Sequence, residues 1–468
     1  MPQGRPHPHV IVVLTDQQRW DTTGAGGNPL GLTPAFDRMA RSGTLAEAAI
    51  TPQPVCAPAR AALQTGRHPT ATGTFRNGIP LGAGNRTLAH HFGDAGYTTG
   101  YIGKWHLADG DPVPEAQRGG YRHWLGANTL EFTSDAYRTV LYDEDGDPVR
   151  LPGYRSDALF DAAVRFAADH HREPFFLFLS LIEPHHQNEV DSHPAPEGYA
   201  ERYQGRWMPP DLAALSAHGG TAHRHMGGYL GQVRRVDEGL GRLLDALRSM
   251  DILDDTVVAF TSDHGSHFKT RNAEYKRSCH DGSLRVPLAV RGPGFEGGRV
   301  LTGPVSTMDL APTLLDAAGV GVPQDMQGRS FLPRLRDPAA APDAAAYSQI
   351  SESECGRALR TARWKYYVAD PDADPWNTPA SARYTESALY DLEHDPYELD
   401  NLVGLTSHRA VADGLRERLL RRMAEAGEPP AEIVPAPART RSQRRVDPTV
   451  HSLAVRGARF GHQPKGGR

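Results

Sequence analysis

Val10-Ile11-Val12-Val13-Leu14-Thr15-Asp16-Gln17-Gln18 is the stretch on which the reading of this chain turns. Successive side chains of a strand point to opposite faces, so a run of five aliphatic residues fits a strand buried on both sides. Asp16 then lies just past the carboxyl end of that strand, where open α/β sheets gather their ligands. The same run is too short for a secretory signal, which needs a basic start, a longer apolar stretch and a small-residue cleavage site. No stretch approaches the roughly 18 apolar residues of a membrane span. The expectation is a soluble, cytoplasmic protein without membrane contact.

Working outward, short β-branched runs alternate with helical periodicity, the pattern of an α/β fold whose large central sheet is mostly parallel and flanked by helices. Strands are expected at 10–14, 98–102, 175–181, 256–261 and 286–290. One helix is punctuated by Thr33 as cap, Pro34 in the first turn and Gly43 beyond its end. Another runs from Thr87 toward Gly96, a long amphipathic one covers 223–250, and a fourth follows Asp309 up to Gly319. The Ala/Pro/Asp stretch 337–346 reads as a linker. Residues 1–345 are then a catalytic domain and 346–430 a smaller α+β subdomain, with strands near 358–368 and 388–392 and a helix around 410–426. Residues 431–468, with Arg439, Arg441, Arg444 and Arg445 close together, read as a flexible basic tail or an arm gripping a second copy, which leaves homo-oligomerisation open.

Composition narrows the function classes. The 468 residues carry a net charge of -5, so no basic field argues for nucleic acid. Three cysteines cannot build a disulfide framework, which suits a reducing compartment. Lysine is scarce beside arginine. A lysine retained beside other polar groups is therefore informative, because Arg's fixed fork is not interchangeable with it.

Chemistry concentrates in Cys56-Ala57-Pro58-Ala59-Arg60. Residues 57–65 form helix well and end at Gly66, so Cys56 starts a helix whose free N–H groups and dipole favour an anion. Arg60, one turn on, adds a fixed charge able to bond two oxygens. By itself this pattern also describes a small buried Cys opening an ordinary helix. A second carboxylate, Asp263, follows strand 256–261 as Asp16 follows 10–14. Two carboxylates brought together there need a cation. Asp16, Gln17, Asp263 and His264 offer oxygen and nitrogen donors for a hard or borderline divalent ion. Lys104 and His106 flank Trp105, so in extended chain they point to the same side. Of the neighbouring pair His185 and His186, either could serve as a proton carrier, and Lys276 sits in a polar loop. None of the 22 histidines shows zinc-like spacing.

These blocks, in this order over residues 9–403, resemble the formylglycine-dependent sulfatases of the alkaline phosphatase superfamily. Cys56-Ala57-Pro58-Ala59-Arg60 with Thr65-Gly66-Arg67 is similar to their modification motif. Thr15-Asp16-Gln17-Gln18 and Ser262-Asp263-His264-Gly265 resemble their metal motifs, and Gly103-Lys104-Trp105-His106-Leu107 their second block. Glu183-Pro184-His185 is similar to their Pro-His segment and favours His185, with His186 in reserve. The resemblance implies that a formylglycine-generating enzyme converts Cys56 to formylglycine (3-oxoalanine). A divalent metal, Ca²⁺ above all, would be held by Asp16, Gln17, Cys56, Asp263 and His264. His264 replaces the commoner Asn and imidazole is a poor Ca²⁺ ligand, so Mn²⁺ and Mg²⁺ stay open. Arg60 would orient the nucleophile, Lys104 and Lys276 hold the sulfuryl group, His185 protonate the leaving alcohol and His106 accept a proton. The implied reaction is hydrolysis of a small aryl, alkyl or sugar sulfate monoester. A phosphonate monoester or phosphodiester hydrolase, a choline-sulfatase-like specificity and an inactive binding protein on the same scaffold are the competing readings. Specificity is expected in loops 109–150 and 187–222.

Overall fold

A computed structural model describes residues 7–337 and 344–440. Its large sheet has eleven strands: β1 (His9–Thr15), β2 (Thr44–Ile50), β3 (Thr98–Lys104), β4 (His123–Ala127), β5 (Thr139–Tyr142), β6 (Pro148–Leu151), β7 (Phe175–Ser180), β8 (Thr256–Ser262), β9 (Arg285–Val286), β10 (Leu288–Arg291) and β11 (Arg299–Ser306). The order is β11-β2-β10-β8-β1-β7-β3-β4-β5-β6, with β9 beside β2. The central five, β8 to β4, are all parallel, whereas β10 and β5 run against them, so the sheet is mixed around a parallel centre.

β1 is buried along its whole length, and its alternation divides two cores. Val10, Val12 and Leu14 face one side with Phe176 and Phe178 of β7, together with residues of helices Cys56–Thr65, Leu88–Asp94 and Leu310–Ala317. Ile11 and Val13 face the other with Leu177 and Leu179, covered by helices Pro34–Ser42, Arg155–His170 and Ala222–Ser249. Between its buried polar ends, His9 and Thr15, the strand fills both faces with five aliphatic residues, which is why the run was legible at once.

A second sheet, β12 (Ala346–Ile350), β13 (Cys355–Arg360), β14 (Trp364–Asp370), β15 (Arg383–Asp391) and β16 (Glu432–Val434), packs under helix Arg409–Glu425. Three expectations need correction. The single strand at 286–290 is split by Pro287, which has no N–H for the ladder, into β9 on β2 and β10 on β8. The strand near 358–368 is a hairpin: Thr361 N–H donates to Trp364 O (2.8 Å) across a turn without the Gly or Asn that would have signalled it. Within the tail expected from 431, residues 432–434 form β16, which pairs in parallel with β15, and Arg439 N–H donates to Gly404 O. Residues 441–468, with Arg441, Arg444 and Arg445, lie outside the described residues, as do 338–343 of the expected linker. Among the described residues no helix is long and apolar enough to cross a membrane.

The cap of helix Pro34–Ser42 comes from far along the chain. Thr33 makes no side-chain cap bond, and Asp237 of helix Ala222–Ser249 accepts the N–H groups of Ala35 and Phe36 at 2.9 and 2.8 Å. Burial pushes the Asp237 carboxyl up to about 6 despite these bonds. Asp237→Ala should lower the unfolding free energy by about 1–2 kcal/mol, as loss of a helix cap does. Urea titration would show this as an earlier midpoint, with KM unchanged; an unshifted midpoint would contradict the capping role.

Candidate active site

Because β3, β7, β1 and β8 are parallel and in register, their carboxyl ends finish together: Thr15 lies opposite Ser262, and Leu14 and Gly103 opposite Ser180. Asp16, Asp263 and Lys104 therefore emerge side by side. Gly103 permits the approach: at φ 106° a Cβ there would fall 1.9 Å from Ser180 O. Gln17 and His106 also hold positive φ, 69° and 62°, an uncommon conformation for residues with side chains and one that clusters at functional sites. The chain is thus not extended through His106.

Cys56 is the first residue of the fully buried helix Cys56–Thr65, after Val55 as cap. Asn77 accepts the N–H of Ala57 at 3.0 Å, and Asn77 is held by Glu352 of the second sheet's loop through its own N–H (2.7 Å). The Cys56 Sγ lies 2.8 Å from Lys276 Nζ, 3.3 Å from His264 Nε2 and 3.7 Å from Asp16 Oδ1. Lys276, which the sequence alone would leave in solvent, is buried and also lies 3.4 Å from His185 Nε2. Arg277, next to it, donates to Glu352, so one residue of the second sheet's loop braces both Cys56 and Lys276. Burial pushes the Cys56 thiol up, but Lys276, Lys104, His264 and a hydrogen bond from His106 outweigh it and hold it well below the usual thiol range. The cluster is built for negative charge at this point.

Arg60 occupies the floor. Its Nε donates to Asp263 Oδ2 (3.2 Å), Nη1 to Lys104 O (2.9 Å) and Ser180 Oγ (2.7 Å), and Nη2 to Asp16 Oδ2 (3.1 Å) while lying 3.1 Å from Asp263 Oδ2. Four hydrogen bonds from its five N–H groups go to protein atoms, and Nη2 also faces Asp263. Arg60 thus holds the two carboxylates together. Lys104 Nζ bonds Asp16 Oδ2 (2.8 Å) and Glu131 Oε1 (2.9 Å). Burial would raise Asp16, yet Lys104, His185 and Arg60 hold it well below the ordinary carboxylate range. Asp263 is shifted up by burial and by the charge of Asp16.

The donors of Asp16, Cys56, Asp263 and His264 lie within 4.8 Å of one another. His264 Nδ1 pairs with Gly265 O at 2.9 Å, so Nε2 presents its lone pair inward, 3.6 Å from both Asp16 Oδ1 and Asp263 Oδ1. Two carboxylate oxygens and one imidazole nitrogen fit a divalent cation. Gln17 stands beside them: its N–H donates to Asp263 Oδ1 (3.1 Å), while its side-chain oxygen accepts from His186 N–H (3.1 Å). Of the two neighbouring histidines, His185 faces the cluster and His186 turns away to Asn188 and Asp191. His106 and His185 are half-buried over fully buried Asp16, Cys56 and Lys104, so the imidazoles stand on the solvent side.

Sequence reasoning missed Glu131. It lies in the four-residue helix Leu130–Thr133 with no motif, yet it pairs with Lys104, and its Oε2 is buried without a hydrogen-bond partner among the described residues. Burial would raise it, but Lys104, His106 and His185 pull it down to about 2 from 4.5.

Ester hydrolases of the alkaline phosphatase superfamily have this fold, with ligands gathered at the carboxyl ends of a parallel sheet centre. The structure aligns with the yidJ protein of Bacteroides fragilis at a TM-score of 0.80, 23% identity, covering 92% of this chain and 98% of that one. It aligns with the phosphonate monoester hydrolase of Agrobacterium radiobacter at 0.68 and 22% identity, covering 90% and 96%. Within that superfamily the chain belongs to the sulfatase family, hydrolases of sulfuric esters: the sulfatase model matches residues 8–320. The model for the C-terminal region of N-sulphoglucosamine sulphohydrolase matches 273–425. The chain is 28% identical over 445 residues to the ulvan-active sulfatase of Formosa agariphila, covering 90% of this chain and 82% of that protein. It is 26% identical to the choline-sulfatase of Rhizobium meliloti, covering 84% and 82%.

A carboxyl whose folded pKa is depressed stabilises the fold above its unfolded pKa and loses that contribution as pH falls through the folded value. Glu131→Gln should therefore cost on the order of 3 kcal/mol at pH 7, with the gap to the wild type narrowing as pH drops from 4.5 toward 2. Urea unfolding at pH 7 and pH 3 reads this. An equal gap at both would contradict the ion pair.

Proposed function

We propose that this chain hydrolyses a small organic sulfate monoester through Cys56 converted to formylglycine, with calcium held by Asp16, Gln17, Asp263 and His264. The contact that carries this reading is Lys276 Nζ at 2.8 Å from Cys56 Sγ, in a buried ring of cations at a helix N-terminus. Sulfatase relatives named for ulvan, choline and aryl substrates support sulfate esters as the class. The hydrated formyl group would offer one hydroxyl to bond sulfur and a second whose loss of a proton would re-form the C=O and break the C–O bond to the sulfate, and the cation would add positive charge beside the carboxylates. Lys104 and Lys276 hold the sulfuryl oxygens and spread their charge. His185, 3.4 Å from Lys276 Nζ, gives its proton to the departing alcohol oxygen, and His106 takes the proton of the second hydroxyl. Arg60 positions Asp16 and Asp263. A formylglycine-generating enzyme is the maturation partner, and a cytoplasmic location suits small imported esters better than polymers.

Three results are expected of protein co-produced with a formylglycine-generating enzyme. Mass spectrometry of the Cys56 peptide should show a loss of about 18 Da. Aryl sulfate should be hydrolysed in preference to phenyl phosphonate, and Cys56→Ala should abolish turnover. A preference for phosphonate would move the chain to the phosphonate hydrolases. Chelation should remove activity and calcium should restore it best; restoration by manganese or magnesium alone would reassign the metal.

A further inference from the structure

Beside the catalytic cluster, on the far side of His185, three imidazoles and an aspartate converge. His186 Nε2 lies 3.1 Å from Asp191 Oδ1, and His225 Nε2 lies 3.9 Å from the same oxygen. The three donor atoms all fall within 4.8 Å of one another. In a tetrahedral zinc site with bonds of about 2.0–2.1 Å, donors stand about 3.3 Å apart, so only small side-chain movements separate this cluster from that geometry.

The outer partners match as well. His186 Nδ1 pairs with Asn188 Oδ1 at 3.0 Å, and His225 Nδ1 with the Tyr275 hydroxyl at 3.1 Å. In the tautomer whose Nδ1–H donates to the Asn188 oxygen, the His186 Nε2 lone pair faces the Asp191 carboxylate oxygen, an arrangement that a cation would bridge. Bonding the remote ring nitrogen in this way is how proteins orient imidazoles toward a metal. His225 Nε2 already behaves as a lone-pair donor, because it accepts Arg224 Nε–H at 2.9 Å. The Arg224 guanidinium, whose other arm reaches Asp191 Oδ2 at 2.7 Å, fills the place of a cation, and at 63% exposure its side chain is free to swing out. His193 packs against both rings, at 5.3 and 5.5 Å, and its buried Nε2 has no partner among the described residues.

From this arrangement we infer that His186, Asp191 and His225 form a second metal site, one that takes zinc or another borderline divalent ion. Two nitrogens and one oxygen select a softer ion than the carboxylate-rich catalytic site does. The ion clamps the loop carrying His186 and Asp191 to the first turn of helix Ala222–Ser249, beside His185. Sequence spacing conceals the site, since its ligands come from two separate segments.

The test uses the full-length protein with its catalytic site saturated by excess calcium, titrated with Zn²⁺ against a chromophoric chelator while bound calcium is followed. The wild type should take up one zinc equivalent without releasing calcium. Asp191→Asn and His225→Ala should each weaken that binding at least tenfold while keeping the calcium-supported turnover of aryl sulfate measured without zinc, which also shows that they fold. Asp191 is exposed, so Asp191→Asn provides a variant whose folding is not at stake. Equal zinc uptake in wild type and both variants, or uptake only in exchange for calcium, would overturn the site.

Discussion

The structure turns on one buried guanidinium. Arg60 lies between Asp16 and Asp263, all three removed from water, and its remaining donors tie Lys104 and Ser180 into the same floor. Two carboxylates this close in a dry interior would repel, and at least one would protonate, without fixed positive charge beside them. Arg60 and Lys104 supply that charge from one side, which leaves the inward oxygens free to face a cation from the other. The rest follows from this division: the strands must be parallel to bring Asp16 and Asp263 together, and Gly103 must lack a side chain for β3 to close up.

The same accounting explains why Cys56 sits where it does. A thiol is a small side chain at a helix start, and by itself it would be an inert buried Cys. Here Lys276, His264, Lys104 and His106 converge on it, so an anionic oxygen in place of the sulfur enters a field already arranged to receive it. The second sheet takes part, since Glu352 braces both Asn77, over the first turn of the Cys56 helix, and Arg277, next to Lys276. Separating the two units would loosen Cys56 and Lys276 together.

How much of this was legible in the sequence depended on distance along the chain. Asp16 and Asp263 were readable because each directly follows an apolar strand, and Cys56 and Arg60 because they sit one helical turn apart. The long helix and the Leu310–Ala317 helix were readable from periodicity, whereas the 361–364 turn and the break at Pro287 were hidden in runs of strand-forming residues. Glu131 reaches Lys104 from 27 residues away and Glu352 reaches Asn77 from 275 away, with no local pattern to announce either. Arg60 is the instructive case. Its charge was evident, but only the fold reveals that it is spread over Asp16, Asp263, Lys104 and Ser180.

The most direct measurement is the rate of aryl sulfate hydrolysis plotted against the fraction of Cys56 converted to formylglycine, across preparations made with graded amounts of the modifying enzyme. The account predicts a straight line through the origin. Substantial turnover at zero conversion, or full conversion with no turnover, would contradict the placement of the chemistry on Cys56.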